Sequence, residues 1–150
     1  MDLQTYLNNT LAAKRSEVMA KSDQLTLGEI ILKCEAIAAK GSKLSDGSEP
    51  HVVYDFEYLY PTKIDSWRGS YEELALSFDG GRNSLALSDF ISLLKTALDN
   101  TFTGYKGGEY TMSRHTPVWV ANYGNSGSTA VVEVVDRKYE VILMTGYREF

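Results

Sequence analysis

Cysteine occurs once in this 150-residue chain and proline three times. A single thiol, Cys34, excludes an internal disulfide framework and a cysteine-rich zinc site, and it fits a reducing compartment. Histidine is nearly as scarce: His51 and His115 are the only two, and nothing in their spacing sets out a metal site. Positive charge is in deficit, with 15 Lys and Arg against 20 Asp and Glu, a formal charge of −5. Duplex nucleic acid is therefore not an expected partner, because its binding relies on cations that neutralise many phosphates. No run approaches the roughly 18 consecutive apolar residues of a membrane span, and the N-terminal residues lack the apolar run of a signal peptide. These absences imply a soluble, cytoplasmic protein with no membrane partner.

What is present is enough for a core. The chain is 43% hydrophobic and 11% aromatic, too apolar for intrinsic disorder. At this length folding buries roughly 68–70% of the unfolded surface without the help of disulfides or a structural metal. The expected organisation is one domain over residues 1–150, with residues 1–23 as a helical extension. In that extension Leu3, Leu7, Leu11 and Val18 follow a thin helical stripe, which packs on the main domain or meets another subunit.

The next segment predicts a helix from its own residues. Thr26-Leu27-Gly28-Glu29 fits a capping box. Leu27, Ile30, Ile31, Cys34, Ile37 and Ala38 then keep the spacing of one buried face, and Gly41 supplies a stop. Cys34 sits within that stripe, where a thiol acts as a small hydrophobe. After a polar loop to Pro50 the period changes. His51 to Phe56 predicts a strand, Tyr58 to Gly69 a long ordered loop, and Leu74, Leu76 and Phe78 a half-buried strand. Ser88 is the expected cap of a further helix carrying Phe90, Ile91, Leu94, Ala97 and Leu98 on one face, closed by Asn100. From Thr101 the pattern is β. Pro117 opens the strand Val118 to Ala121, and Thr129 to Val135 pairs with Tyr139 to Met144 as a hairpin. The fold class expected is α+β, a mostly antiparallel sheet packed against two core helices, with the additional N-terminal helix.

Familiar catalytic signatures are missing. The sequence has no phosphate-binding Walker loop, no Gly-x-Gly-x-x-Gly turn, no His-Glu-x-x-His and no Gly-x-Ser-x-Gly. Two segments instead combine aromatic, basic and glycine residues: Trp67-Arg68-Gly69-Ser70-Tyr71, and Gly104-Tyr105-Lys106-Gly107-Gly108-Glu109-Tyr110 with Arg114 and His115 close behind. A nucleotide asks for a flat apolar surface against its base, cations for its phosphates, and glycine where backbone N–H groups approach oxygen. The same residues also serve as core or loop anchors, and Gly107-Gly108 equally makes a hairpin turn. A third segment, Ala121 to Thr129, leaves a strand into a polar glycine loop that either binds an anion or is a solvated connection.

Four stretches together resemble a widespread family of small bacteriophage-encoded proteins. They are Leu25-Thr26-Leu27-Gly28-Glu29-Ile30-Ile31, Asp65-Ser66-Trp67-Arg68-Gly69-Ser70-Tyr71 with Leu74-Ala75-Leu76, Thr101 to Gly108, and Thr116 to Gly124. The resemblance spans Gln24 to Thr145. The chain is also similar to phage nucleotide sponges, which sequester the cyclic-nucleotide signals of bacterial antiviral defence. That resemblance implies a homo-oligomer that binds a cyclic dinucleotide or a related signal without cleaving it, and that needs no cofactor.

On stacking and phosphate logic, Trp67, Tyr105 and Tyr110 are expected to stack on or enclose bases, with Tyr71 in the same aromatic segment. Arg68, Lys106 and Arg114 offset phosphate charge, and Asn122 reads a base edge or ribose. No catalytic or metal-binding residue is expected. Two rival classes remain: a protein-binding inhibitor of a host enzyme, using an acidic surface with exposed aromatics, and a nucleotide-processing enzyme in which His115, Glu109 and Asp65 act as acid, base or metal ligand.

Overall fold

The computed structural model describes residues 24–56, 59–67, 70–78, 83–103, 107–121 and 129–147, with the side chains of 70–72 left aside. The expected N-terminal helix lies outside the described residues. Within them, two helices pack on a seven-stranded sheet, and a two-stranded hairpin stands beside it. This is the α+β arrangement expected.

Helix α1 spans Leu27–Ala39 and begins as its sequence dictates. The Glu29 N–H donates to Thr26 Oγ1 at 3.3 Å, and the Thr26 N–H donates to Glu29 Oε1 at 3.0 Å, so two otherwise unpaired donors are satisfied. Leu27, Ile30, Ile31, Cys34 and Ile37 form its buried face. Past its end, Gly41 takes φ +70°, a conformation that costs glycine little, and donates to Ala38 O at 3.0 Å.

Helix α2 spans Leu87–Ala97, so Ser88 is not its cap. The residue before the helix is Ala86, which has no side-chain acceptor. A remote carboxylate takes that role: Glu49 Oε1 accepts from the Ser88 N–H at 3.1 Å, and Glu49 Oε2 from Ser88 Oγ at 2.7 Å. Negative charge is favourable at this end of a helix. At the other end Asn100 Nδ2 donates to Thr96 O at 2.8 Å, and Asp99 adopts φ 60°.

The sheet contains β1 (His51–Tyr54), β2 (Lys63–Trp67), β3 (Ser70–Ser77), β4 (Leu85–Ala86), β7 (Val118–Val120), β8 (Thr129–Asp136) and β9 (Glu140–Tyr147). The hairpin is β5 (Thr101–Thr103) with β6 (Glu109–Thr111). Across the sheet the order is β2-β3-β7-β8-β9-β1-β4. The pairs β3–β7 and β1–β9 are parallel and the rest antiparallel.

The stretch expected as a long loop holds β2. Its alternation of polar and apolar residues is weak, and pairing with β3 makes it a strand. Lys63 and Asp65 are exposed along it, a composition that discourages further pairing at a sheet edge. The opposite edge, β4, is only two residues long.

Successive residues of a strand point to opposite faces. Leu74, Leu76, Val118, Val120, Val131, Val141 and Leu143 face the helices, where they meet Leu27, Ile30, Ile31, Phe90 and Leu94. Ala75, Trp119, Ala130 and Val132 belong with Trp67 to a second buried cluster. The strand through Leu74 and Leu76 is therefore buried on both faces at its centre, not half-buried as its alternation implied.

The strands β7 and β8 pair at a single position, Trp119 opposite Ala130. Leu25 continues the connection between them: its N–H donates to Val131 O at 2.8 Å, and its carbonyl accepts from the Val118 N–H at 3.2 Å. The chain thus enters α1 from a position wedged between two central strands.

Candidate functional site

The first turn of α1 holds the turn that follows β6. The Leu27 N–H donates to Thr116 O at 2.8 Å and the Gly28 N–H to Arg114 O at 2.9 Å. Helix N–H groups that lack partners inside the helix are thereby used to clamp a loop. Gly28 is required at this approach, since a Cβ there would lie 2.9 Å from Arg114 Cβ and 3.0 Å from Arg114 O. The turn is also tied internally. Thr116 Oγ1 accepts from the Ser113 N–H at 2.9 Å, and Ser113 Oγ accepts from the His115 N–H at 3.2 Å.

Between this turn, β6 and β3 lies an open cleft of about 410 Å³. That volume falls within the range of small-molecule sites. It is lined by Glu73 from β3, Glu109, Tyr110 and Thr111 from β6, and Ser113, His115, Thr116 and Pro117 from the turn. On the hairpin, Gly107 has φ +87°. A Cβ on Gly108 would lie 2.9 Å from the Tyr110 hydroxyl, so the absence of a side chain there leaves the ring its place. Glu73 is oriented from behind, where its Oε2 accepts from Trp119 Nε1 at 2.5 Å.

Of the sequence-predicted ligand-binding residues, Tyr110 lines the cleft, while Arg114 is an exposed residue of the adjoining turn whose Cβ and carbonyl lie against Gly28, outside the lining. Trp67 does not join Tyr110 there. Only 4% of it is exposed, and its ring stacks on Trp119 with centroids 4.4 Å apart at an interplanar angle of 11°. It packs the second cluster instead of offering an open platform to a base. Tyr71 contributes backbone to β3, and its side chain lies outside the described residues, as do Arg68, Tyr105, Lys106 and Asn122.

The residues weighed for catalysis divide in the same way. Glu109 and His115 share the cleft, whereas Asp65 lies on β2 and accepts from the Ser66 N–H at 2.7 Å. Among the described residues, no three His, Cys, Asp or Glu side chains converge in a way that could hold a metal ion. Cys34 is fully buried, and burial followed by the charge of Glu35 pushes its thiol up to about 12. It remains an un-ionised packing residue rather than a nucleophile.

Sequence reasoning missed Glu73 as a site residue. The available signal was a carboxylate on the same strand face as the small Ala75, and local alternation does not tell what such a face meets. Against family models, curated proteins and solved structures alike, the chain has no match.

Proposed function

We propose that this chain is a non-enzymatic, oligomeric phage protein that binds a cyclic dinucleotide or a related signal and withholds it from a host receptor. The observation that carries the reading is the cleft itself: Glu109, Tyr110 and His115, from the aromatic and basic segment singled out in the sequence, line one cavity of about 410 Å³ together with Ser113 and Thr116. A base enters beside Tyr110. Arg114, exposed in the turn that also carries the lining residues Ser113 and His115, and Lys106, in the sequence joining β5 to β6, are the cations that offset phosphate charge in this reading.

The rival reading of a protein-binding surface lacks a joined aromatic patch among the described residues. The exposed large hydrophobics are Leu32 on α1, Tyr139 before β9 and Tyr147 at the end of β9. The last two lie eight residues apart along a strand, about 26 Å.

A thermal-shift screen of cyclic di- and trinucleotides and linear nucleotides tests the proposal, because a ligand that binds the folded state raises its apparent stability. The expected result is a selective upward shift, recovery of unchanged ligand after incubation with excess protein, and weakening of the shift in Arg114→Ala and Lys106→Ala at unaltered ligand-free Tm. A flat screen overturns binding, and conversion of the ligand overturns the non-catalytic part.

A further inference from the structure

Among the described residues the sheet ends in β2 on one side and β4 on the other. Strand β4 is two residues long, whereas β2 runs for five and is long enough to hold a further strand. An edge strand is a template for pairing with another chain, and charged side chains on it turn most other strands away. A pattern of charges can nevertheless admit one partner in one register.

The order of residues on β2 has this property. Lys63 and Asp65 are exposed and project from one face of the strand, while Ile64 between them points to the other and packs against the core beneath the helices. When two copies of such a strand pair, the register decides which charges meet, because directly opposite Cβ atoms lie only about 4.5–5.5 Å apart. A parallel pair in register sets Lys63 against Lys63 and Asp65 against Asp65. An antiparallel pair centred on Lys63, or on Asp65, sets that residue against itself. Centred on Ile64, the antiparallel pair sets each Lys63 against Asp65 of the other copy, twice over by symmetry, and joins Ile64 to Ile64 on the core side. One step further out Thr62 falls opposite Ser66, hydroxyl beside hydroxyl. Opposite charges across a strand pair stabilise it and like charges destabilise it, so the residues that reject other strands select this arrangement.

We infer that β2 is the contact between two copies of this chain, paired antiparallel about Ile64 with Lys63 of each copy opposite Asp65 of the other. The two seven-stranded sheets then run on as one, and a two-fold axis perpendicular to the sheet keeps the helices of both copies on the same side. Such a dimer gives the oligomeric part of the function proposed above its interface and rests on none of its ligand chemistry.

Sedimentation equilibrium of the full chain over a dilution series tests this, and the expected result is a reversible dimer. Lys63→Glu and Asp65→Lys each turn two attractive pairs into two repulsive ones, so either alone should weaken the dimer by about tenfold or more. Both residues are exposed, so circular dichroism of each variant should match the parent. The deciding arm is an equimolar mixture of the two variants. Two acidic residues on one chain then face two basic residues on the other, and dimers containing one chain of each kind should return. A monomer at every concentration overturns the inference, as does an assembly that neither reversal weakens, or a mixture that fails to restore what the single variants lose. None of these outcomes touches ligand binding, which the thermal-shift screen decides separately, and a flat screen leaves the dimer standing.

Discussion

At Gly28 two effects of a single methyl group oppose each other. Alanine is the better helix former, by about 1 kcal/mol in a helix interior. The added Cβ, however, would sit 2.9 Å from Arg114 Cβ and 3.0 Å from the Arg114 carbonyl oxygen. These are backbone-anchored atoms that cannot swing aside, and forced repacking of that kind costs about 1–3 kcal/mol. The Gly28 N–H bond to Arg114 O at 2.9 Å stretches with any such shift. The clash outweighs the propensity gain, so Gly28→Ala should lower the urea midpoint with little change in the slope of unfolding, and the thermal midpoint by a few degrees. A stabilised variant would show that the Ser113–Thr116 turn is not clamped by the helix. Cys34 illustrates the opposite case at this scale, a residue whose role was legible from its place in the stripe. It is buried, and its thiol is pushed up to about 12.

Among the elements, α1 was legible because everything that starts and stops it lies within a few residues: Thr26 and Glu29 at one end, Gly41 at the other. Helix α2 was legible in its apolar face but not in its beginning, because its cap comes from Glu49, thirty-nine residues from Ser88 in sequence. The strand β2 was read as loop for a related reason, since its partner β3 and not its own alternation makes it a strand. The α2 cap can be tested by a cycle of substitutions. Removing a capping interaction costs about 1 kcal/mol, so Glu49→Ala should destabilise the protein by roughly that amount. Ser88→Ala should cost less, because the backbone N–H of residue 88 keeps its bond to Glu49 Oε1. The double variant should fall short of the sum, as expected for residues sharing one interaction. Additive losses would show that the carboxylate and the serine stabilise the helix independently.

On the scale of the whole molecule, the candidate site was half legible. Tyr110, Glu109, Arg114 and His115 lie close together in sequence, and their aromatic, basic and polar character marked them. Glu73 and the buried fate of Trp67 depend on β3 lying parallel to β7, with Ala75 opposite Trp119, a pairing across more than forty residues that local pattern does not encode. That pairing also ties the two buried clusters together. On β3, Leu74 and Leu76 face the helices while Ala75 faces the tryptophans; on β7, Val118 and Val120 alternate with Trp119 in the same manner. Neither strand can leave the sheet without opening both clusters. Trp67 and Trp119 are the only tryptophans in the chain, and both lie in the second cluster, so their fluorescence reports that face alone. Far-ultraviolet circular dichroism reports helices and strands throughout. If the shared strands make the two clusters one cooperative unit, the two signals should follow the same denaturation curve with one midpoint. A tryptophan transition at distinctly lower denaturant would mean that the second face loosens while the helix–sheet core stays folded, and that the Trp119–Glu73 support of the cleft is lost before the fold is.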